Sequence, residues 1–492
     1  MLAVGLWGLD RGGMWRDEAV TFQVARRTVP QIWRLLHGVD AVHGLYYLVM
    51  HAVLAVRPGE VVLRLPSVCA AAAAAGLVAA LGVRLARPRV GLWAGLLYAA
   101  TPLAGHYAQE GRSYALVAAG AAGATLLLVR ALDGGGAGRG WWAYGGVLAA
   151  TCLLHELAVL VLCAHAITLA LLRAPRAVWR RWSRPTGAAV AVLLPLVLAS
   201  RRQSRQVEWL PAPDWESAER LLRGFTAGPD GSVFWGCVTL MAVGLLSGRT
   251  AAVMAPVMLA PPAVLMLTSQ VMPLYHERYV LYALAGAPLL IAAGADLVVR
   301  RLGALAGRSS RSRAVTAAGV LAVTLVFVQL LPLHRYYRTP AHRADNLAAV
   351  SALAAGEIRP GDPVLFLPAL GRRAALAYPE GFRGVRDLAL GAPGARSGTL
   401  YGREVGPREL QRRLAGVDRL WVVAEPYALR SRWFPGDPTE RLKLVAVEER
   451  FIPRWERERS GVTLRLYVRR SPGTTAPTGG SPPSDGLRGS GG

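Results

Sequence analysis

Ten apolar segments recur along the first two thirds of this 492-residue chain. The hydrocarbon core of a bilayer is about 30 Å thick, and a helix that rises about 1.5 Å per residue crosses it in roughly 20 residues. The segments approach this length, so the sequence predicts a polytopic α-helical membrane protein with ten or eleven transmembrane helices. The predicted spans are 65–83, 90–105, 114–130, 141–155, 157–172, 186–200, 232–247, 251–269, 279–299 and 314–333.

The composition agrees with a membrane protein. Hydrophobic residues make up 53% of the chain and charged residues 18%, against roughly 45–50% and about 25% in soluble proteins. Such a high apolar content excludes intrinsic disorder for most of the length. The four cysteines, Cys69, Cys152, Cys163 and Cys237, lie inside apolar runs without metal-ligand spacing, which argues against a disulfide framework or a zinc site.

Arginine clusters account for the net charge of +25, since Lys443 is the only lysine. They fall in alternate short loops, which the positive-inside rule places in the cytoplasm. The charge is therefore a topology signal rather than a nucleic-acid interface, because no soluble segment carries a basic stripe interleaved with aromatic residues. The clusters are Arg84, Arg87 and Arg89; Arg130 and Arg139; Arg173, Arg176, Arg180, Arg181 and Arg184; Arg249; and Arg300, Arg301, Arg308, Arg311 and Arg313. The loops that then face outward are 10–62, 106–113, 155–156, 201–230, 270–278 and everything after Pro332.

The first outer loop, 10–62, contains amphipathic segments. Residues 19–38 mix apolar and arginine side chains in a helical pattern, and Pro30 could open a second helix at its first position. We expect these helices to lie on the outer membrane surface. Residues 43–56 are apolar, but a crossing there would put the arginine loops on both sides, so an interfacial or re-entrant helix is predicted. Residues 1–9 are apolar but too short to cross, which indicates a start codon further upstream or a lost first helix.

The composition changes after the predicted transmembrane domain, 1–333. Residues 334–470 alternate charged stretches with strand-like runs and carry a helical pattern at 344–356, which predicts a small soluble α/β domain outside the membrane. Residues 471–492 consist largely of Gly, Pro, Ser and Thr and are predicted to be a disordered tail. The strand-like runs are Val364–Leu367, Leu420–Val423 and Leu442–Val445.

Four polar clusters occur at outward ends of the spans. An ionisable group within or beside a span costs about 2.5–3.5 kcal/mol on insertion scales, so each cluster needs a reason. All four lie opposite the arginine loops, and helix ends at one membrane level could bring them around a common cavity. Carboxylates and arginines there suit a site that handles hydroxyl and phosphate groups. The clusters are Asp17–Glu18; His106, Glu110, Arg112 and Tyr114; His155–Glu156; and Tyr275, His276, Glu277, Arg278 and Tyr279.

Each cluster also has a purely structural interpretation. Asp17 and Glu18 could cap the helix that follows them, since acids favour a helix N-terminus. The acid and arginine pairs of the second and fourth clusters could be salt bridges that hold helix ends. The third cluster reads more readily as an ordinary polar turn between two spans. Tyr46 and Tyr47 read as members of the aromatic belt at the membrane interface, with stacking on a substrate as the alternative.

A metal site is a further alternative. His106 and Glu110 lie four residues apart on one predicted helix, and two more His-Glu pairs exist in the chain. No recognised ligand spacing is complete, however. We therefore predict no metal and no other cofactor, with a divalent metal as the open alternative.

Five motif elements occur in a fixed order: Met14-Trp-Arg-Asp-Glu-Ala19, His43-Gly-Leu-Tyr-Tyr47, His106-Tyr-Ala-Gln-Glu-Gly-Arg-Ser-Tyr114, Leu154-His-Glu156 and Glu277-Arg-Tyr279. At these residues the chain resembles the C-type superfamily of polytopic glycosyltransferases, in particular protein O-mannosyltransferases, lipid A aminoarabinose transferases and their bacterial homologues. The resemblance covers about residues 1–335, with the elements in the same order and on the same side. Single elements are weak signals, but the ordered set is fairly specific.

The resemblance implies a sugar donor linked to a polyprenyl phosphate and an inverting transfer on the extracytoplasmic face of the plasma membrane. In that superfamily the acidic residue of the first outer loop acts as the base, which carries over to Asp17 with Glu18 beside it. A second acidic residue carries over to Glu110. The other motif residues are expected to bind substrate: His43, Tyr46, Tyr47, His106, Arg112, Tyr114, His155, Glu277, Arg278 and Tyr279.

Three features depart from the superfamily pattern. Many members have His-Pro-Pro before Leu-Tyr-Tyr, whereas this chain has Val42-His43-Gly44 before its tyrosines. The first helix is truncated, and the C-terminal domain shows no matching motif. The resemblance therefore leaves the sugar and the acceptor, whether glycan, lipid or protein, unassigned.

The chemistry of such a transfer needs a deprotonated nucleophile and a stabilised leaving phosphate. We expect Asp17 to remove the acceptor proton while Arg112 or Arg278 holds the phosphate by charge-assisted hydrogen bonds. The competing interpretations are a transporter or flippase of lipid-linked glycans, whose charges would line a midplane path, and a membrane receptor. The span interiors carry few charges and no obvious inverted repeat, and ten spans are excessive for an anchor, which favours the enzyme.

Overall fold

The computed structural model describes residues 1–134, 138–204, 210–226, 228, 230–305, 313–342, 345–430 and 433–470. The described chain is mostly helical, and its strands begin at Pro363. The tail predicted to be disordered, 471–492, lies outside the described residues, as do Arg308 and Arg311 of one arginine cluster.

Five helices are long and apolar enough to cross a membrane within the described ranges. They are Glu60–Leu85, Tyr114–Asp133, Arg176–Arg202, Arg249–Thr268 and the continuous segment Glu277–Leu305. Shorter helices occupy the remaining predicted spans: Pro88–Ala100 with Pro102–Tyr107, Gly138–Leu154, Glu156–Leu171, Gly231–Gly244, and Arg313–Gln329 with Leu331–Tyr336. Each of the ten predicted spans therefore contains helix, and the prediction of a polytopic helical membrane protein is confirmed.

Three of the helical segments are interrupted near one end. Thr101 is extended before Pro102, so the predicted span 90–105 divides into two helices, as expected for the residue that precedes a proline. The predicted spans 157–172 and 279–299 begin with 3-10 turns. These turns are Glu156–Leu160 and Glu277–Ala285, and the α-helices Val161–Leu171 and Gly286–Leu305 follow them. All three irregularities lie beside polar clusters at the predicted outer end.

Short helices form the first outer loop, as its amphipathic pattern predicts. They are Arg16–Ala25, Val29–Leu36, the 3-10 turn Ala41–His43 and Gly44–Val56, and the short helix Leu2–Leu6 precedes the loop. Thr28 and Gln31 form a capping box before Val29–Leu36, so Pro30 occupies its second position rather than its first. Gly44–Val56 has 13 residues. At about 1.5 Å per residue it spans roughly 20 Å, too little to cross a bilayer alone.

One helix in an outer loop was not expected from the sequence. Trp215–Thr226 lies inside the segment 201–230 that reads as a loop. Leu221 and Phe225 are buried, whereas Arg220 pairs with Glu216 on the exposed side. A narrow apolar stripe of this kind is typical of a surface helix. It differs from the continuous apolar runs that indicate membrane spans, so this helix was not predicted from the sequence.

The arginine loops meet at one end of the helical bundle. Asp133, which ends its helix, is 2.7 Å from Arg84 and also pairs with Arg249. Asp296 is buried, accepts a 2.6 Å hydrogen bond from Arg89 and pairs with two further arginines. The polar motif clusters lie at the other end of the same helices. The predicted segregation of arginine loops from the polar clusters is therefore present in the fold.

The C-terminal region forms the expected small α/β unit. Its strands are β1 Pro363–Leu367, β2 Arg386–Asp387, β3 Leu390–Ala392, β4 Arg403–Glu404, β5 Arg419–Ala424, β6 Phe451–Arg459 and β7 Val462–Arg469. The main sheet has the order β2-β1-β5-β7-β6, with β2, β1 and β5 parallel, while β3 and β4 form a separate antiparallel pair. Its helices and turns are Pro340–His342, Leu347–Glu357, Ala369–Arg372, Arg373–Ala377, Pro379–Phe382, Gly394–Ser397, Pro407–Ala415, Pro426–Leu429 and Pro438–Arg450.

The predicted elements of this unit are partly correct. The helix at 344–356 and the first two strand-like runs occur almost as predicted. Leu442–Val445, however, lies inside the helix Pro438–Arg450, so that strand prediction is wrong. The side chain of Asp437 caps this helix by accepting hydrogen bonds from two backbone N–H groups, and Asp followed by Pro is a strong signal for a helix start.

The first outer loop joins the membrane helices to the C-terminal unit. Phe22 of helix Arg16–Ala25 shares one buried cluster with Leu63 of a membrane span and Phe382 of the C-terminal unit. Arg27 donates hydrogen bonds to three backbone carbonyls of that unit. The C-terminal unit is thus packed directly against the loop that carries Asp17.

Candidate active site

Asp17 and Glu18 begin the helix Arg16–Ala25 but face different surroundings. Consecutive side chains on a helix point about 100° apart. The side chain of Asp17 is 24% exposed, and its Oδ2 lies 3.2 Å from Nη1 of Arg278. Glu18 points inward and is fully buried. The two acids of one motif are therefore placed for different tasks.

Glu18 is held by a side chain of a membrane helix and by a backbone group of the turn before Tyr114. Nε and Nη2 of Arg64 donate hydrogen bonds of 2.9 and 3.0 Å to its two oxygens. The backbone N–H of Gly111 donates a third, 2.8 Å long. Arg64 is itself fully buried and also donates to the carbonyl of Leu9 at 2.8 Å. This geometry argues against the catalytic role expected for Glu18, because a buried and fully paired carboxylate cannot meet a substrate.

Arg112 links the second cluster to the first outer loop. Its Nη1 donates to the hydroxyl of Thr21 at 3.3 Å and to the carbonyl of Asp17 at 3.4 Å. Its Nη2 lies 2.6 Å from Nε2 of His43. A guanidinium can only donate, so Nε2 of His43 must accept and the ring proton must reside on Nδ1. Arg112 therefore fixes both the helix that bears Asp17 and the tautomer of His43.

The neutral state of His43 has a clear physical cause. Burial lowers the pKa of His43 well below its ordinary value, and the positive charge of Arg112 lowers it further. Nearby Asp40 responds in the opposite direction: burial raises the pKa of its carboxyl, while Arg112 and the hydrogen bond from Tyr47 oppose the rise. The positive charges of the site thus remain on arginines.

Aromatic and imidazole rings surround these arginines. The ring centroid of His155 lies 6.0 Å from that of His43, 5.9 Å from that of Tyr114 and 5.0 Å from that of Tyr279. The guanidinium of Arg278 lies over the rings of Tyr114 and Tyr279 at 5.7 and 5.5 Å. Residues from four separate motif elements therefore line one small region beside Asp17.

Buried polar atoms without a hydrogen-bond partner accumulate in this region. An unpaired buried polar group costs about 1–3 kcal/mol, so such atoms are rare in folded proteins. The atoms around Asp17, among the residues described, are Nε1 of Trp15, Nδ1 of His43, Nε of Arg112, Oη of Tyr114, Nδ1 of His155 and Nε of Arg278. Most of them are hydrogen-bond donors, and the arrangement suits a ligand that presents several acceptor oxygens.

Glu110 stands beside this region with a different partner. Its Oε1 lies 3.2 Å from Nε2 of His106, while its buried Oε2 has no hydrogen-bond partner. The ring of His106 in turn packs against Tyr337 and His342, with centroids 5.1 and 5.5 Å away. Within the described ranges, no group of three His, Cys, Asp or Glu side chains is arranged to hold a metal ion.

Tyr46 and Tyr47 are not part of an aromatic belt. Both are completely buried, which corrects the interpretation of their exposed, interfacial position. Tyr47 donates a 2.8 Å hydrogen bond to Asp40 and meets His43 edge-on, with centroids 6.0 Å apart. Tyr46 packs in the cluster shared with the C-terminal unit. Both tyrosines are buried because helices of the first outer loop and residues of the C-terminal unit cover the short helix that carries them.

The third and fourth clusters divide between the site and its surroundings. His155 joins the ring of aromatic residues, whereas Glu156 accepts a 2.6 Å hydrogen bond from Ser200 of a neighbouring helix. The reading as an ordinary turn therefore fits Glu156 and fails for His155. Glu277 is half-buried at the start of its 3-10 turn, and the adjacent Arg278 turns to Asp17. In place of the expected salt bridge between Glu277 and Arg278, the structure has one between Arg278 and Asp17, which are far apart in the sequence.

Arg64 is a site-defining residue that the sequence interpretation missed. It lies four residues after Glu60, near the outward end of the first long helix. An arginine at the outward end of a span opposes the positive-inside rule. This departure from the positive-inside rule could have indicated, from the sequence alone, that Arg64 has a buried acidic partner.

The fold resembles solved membrane transferases. Two crystal structures of ArnT from Cupriavidus metallidurans, one apo and one bound to undecaprenyl phosphate, match this chain with TM-scores of 0.60 at 11% and 12% sequence identity. Each match covers 94% of this chain and 96% of ArnT. The apo crystal structure of the Archaeoglobus fulgidus oligosaccharyltransferase matches with a TM-score of 0.50 at 12% identity, over 84% of this chain and 66% of that one.

Two comparisons of sequence found no match: no protein-family profile matches the chain, and no curated protein matches it in sequence. ArnT, an aminoarabinose transferase, and the oligosaccharyltransferase are both C-type glycosyltransferases. The chain therefore shares its fold with two transferases of the group that its ordered motifs resemble.

Proposed function

We propose that the chain is a membrane glycosyltransferase that moves a sugar from a polyprenyl-phosphate donor to an acceptor on the extracytoplasmic face, with inversion at the anomeric carbon. The observation that carries the proposal is the set of buried polar atoms without a hydrogen-bond partner on Arg112, Arg278, His43 and His155 around Asp17. The fold, which this chain shares with transferases, supports it. So does the ArnT structure that binds undecaprenyl phosphate.

Arg112 and Arg278 are proposed to hold the donor phosphate. Guanidinium groups bind phosphate through short, directed, charge-assisted hydrogen bonds. Both arginines are largely buried and each keeps a free Nε, although other atoms of each are used to fix the fold. A phosphate between them would satisfy these atoms and would receive the negative charge that develops as it departs.

Asp17 is proposed to act as the base. It takes the proton of the acceptor hydroxyl while the acceptor oxygen attacks the anomeric carbon. The bond between that carbon and the phosphate oxygen breaks, and its electron pair leaves on the phosphate. The products are an inverted glycoside and polyprenyl phosphate, and Asp17 returns its proton to water. A positioned base of this kind contributes about 10²–10⁴ in rate.

The remaining groups are proposed to orient the sugar. The Nδ1–H of His43 and the hydroxyl of Tyr114 can donate to sugar oxygens, and the free Oε2 of Glu110 can accept from a sugar hydroxyl. Rings of His155 and Tyr279 offer apolar faces beside them. His106 is proposed to hold Glu110 rather than to touch the donor. No metal is needed in this scheme because both phosphate contacts come from arginine.

The alternative function is a transporter or flippase of lipid-linked glycans. A flippase moves the donor across the membrane intact, whereas a transferase cleaves it. The purified chain should be reconstituted in liposomes that contain polyprenyl phosphate linked to radiolabelled mannose or to a radiolabelled pentose. The proposal predicts loss of label from the lipid fraction and appearance of free polyprenyl phosphate. Translocation of intact lipid without cleavage would contradict it and would support the flippase.

A further inference from the structure

The carboxyl ends of β1 and β5 define one edge of the C-terminal sheet, which we call the crevice. β1 and β5 are parallel neighbours whose last residues, Leu367 and Ala424, stand side by side. β2 lies on the other side of β1, so the chain reverses its order of strands between β1 and β5. In parallel α/β sheets, ligands bind beyond the carboxyl ends of the strands at such a reversal.

Charged side chains occupy the crevice. Arg373 follows β1 through one turn, and Glu425 is the first residue after β5. Nη2 of Arg373 donates a 2.6 Å hydrogen bond to Oε1 of Glu425. Both side chains are more than nine-tenths buried, and Nε of Arg373 has no partner. Burial raises the pKa of Glu425, and the charge of Arg373 opposes that rise. One donor of the pair therefore remains available to a ligand.

The crevice adjoins the loop of Asp17. The helix Arg373–Ala377 packs against the helix Arg16–Ala25, which Asp17 helps to begin. Nε and Nη2 of Arg16 donate hydrogen bonds of 2.6 and 2.9 Å to Asp345. The hydrogen bond to Asp345 raises the pKa of Arg16, and the charges of Glu425 and Asp17 act in the same direction. These carboxylates therefore share one region, with Asp17 on the side of the membrane helices.

An aromatic pair flanks the charged groups. Tyr427 lies two residues after Glu425 and is 42% exposed. The ring of Trp433 meets it edge-on, with centroids 5.9 Å apart. An aromatic face beside paired charges offers both an apolar platform and directed hydrogen bonds. A sugar ring has the matching surface, since its C–H face is apolar and its hydroxyl groups both donate and accept.

We propose that Arg373, Glu425 and Tyr427 form an acceptor subsite for a neutral saccharide, which presents its hydroxyl to Asp17; this rests on the proposed transferase function. The charges of the crevice are paired, Arg373 with Glu425 and Arg16 with Asp345. Paired charges offer donors and acceptors without net attraction for an anion, so a neutral glycan fits better than a phosphorylated one.

The test measures binding to the purified full chain in detergent by saturation-transfer NMR. The probes are mannobiose, arabinobiose and cellobiose, with inorganic phosphate as competitor. At least one disaccharide should bind, phosphate should not displace it, and Glu425→Gln and Tyr427→Ala should each weaken binding about ten-fold, the effect of losing one or two net hydrogen bonds or contacts. Phe434→Ala, which removes an 86% exposed aromatic side chain of the same segment, is the matched control and should bind normally.

The result has two independent parts. Absence of disaccharide binding, displacement by phosphate, or unchanged binding in both subsite variants would overturn the acceptor subsite. Binding of polyprenyl phosphate should remain normal in Glu425→Gln and Tyr427→Ala, since Arg112 and Arg278 lie elsewhere. If the disaccharide binds at Tyr427 but labelled donor is never cleaved, the saccharide-binding site stands, whereas the transferase function and with it the role of this site as an acceptor subsite fail.

Discussion

Nη1 of Arg278 lies 3.2 Å from Oδ2 of Asp17, so the start of the chain is joined to a span more than half the sequence away. The contact brings the first and fourth motif clusters together. It leaves Nε of Arg278 free and the Asp17 carboxylate partly open. The contact thereby places the proposed base and one of the proposed phosphate-binding groups in the same small region.

Replacement of either site arginine should weaken donor binding. Lysine keeps the charge of Arg112 or Arg278 but loses the planar fork that grips two phosphate oxygens. Loss of one charge-assisted hydrogen bond corresponds to about 1.5–3 kcal/mol, or roughly 10–100-fold in affinity. We expect Arg112→Lys and Arg278→Lys to raise the Kd for polyprenyl phosphate by this factor, measured by thermophoresis. Arg220→Lys, on an exposed helix, is the control, and unchanged affinity in both site variants would exclude a phosphate role.

The Glu18 and Arg64 pair should control stability more than chemistry. Removing one partner of a buried ion pair leaves an uncompensated charge and costs about 3–5 kcal/mol. We expect Glu18→Gln to lower the Tm of the purified protein by several degrees, followed by tryptophan fluorescence, while Glu216→Gln on the surface leaves it unchanged. A variant with normal Tm and no transfer would instead place Glu18 in the reaction.

The buried histidines should make the fold sensitive to acid. Burial lowers the pKa of His43 well below its ordinary value, and burial lowers that of His276 to about 4. The unfolded chain takes up these protons first, near pH 6.5, so stability is complete above that pH and falls as the pH drops below it. The loss is about 1.4 kcal/mol per pH unit for each such group.

His43→Gln tests this dependence. The variant removes one of the titrating groups while it keeps an amide that can accept the hydrogen bond from Arg112. Thermal unfolding between pH 7.5 and 5.5 should show a smaller decline for His43→Gln than for the unmodified chain. Equal declines would mean that the pKa of His43 is the same in the folded and the unfolded chain, and would contradict the effect of burial.

The two ends of the bundle should face opposite sides of the membrane. Single cysteines at Glu216 and Ser183, both exposed, can be introduced after the four native cysteines are replaced by alanine. A membrane-impermeant maleimide should label Glu216→Cys in intact cells and Ser183→Cys only after permeabilisation. Labelling of both in intact cells, or the reverse pattern, would contradict an extracytoplasmic site.

Much of the architecture could be predicted because bilayer thickness and charge segregation act on continuous stretches of sequence. The apolar runs correctly predicted a helix in every span. The arginine loops correctly predicted the end of the bundle at which Asp133 and Asp296 pair with arginine side chains. The order of the polar clusters likewise predicted the common region around Asp17. Each of these features depends on residue type and spacing alone.

Other features depend on contacts between distant residues. Asp17 and Glu18 are adjacent and chemically alike, yet Arg64 on another helix removes Glu18 from the site. Tyr47 is buried because Asp40 and the loop helices cover it, which no local pattern reveals. Leu442–Val445 alternates like a strand but follows the cap at Asp437, so a neighbouring signal overrides the local one.

Turnover by Asp17→Asn measures the central claim most directly. The variant and the unmodified chain should be incubated with radiolabelled polyprenyl-phosphate sugar under single-turnover conditions, with Asp214→Asn as an exposed control. The account predicts that Asp17→Asn binds polyprenyl phosphate normally but transfers sugar about 10²–10⁴-fold more slowly, the contribution of a positioned base. Near-normal transfer by Asp17→Asn would contradict it.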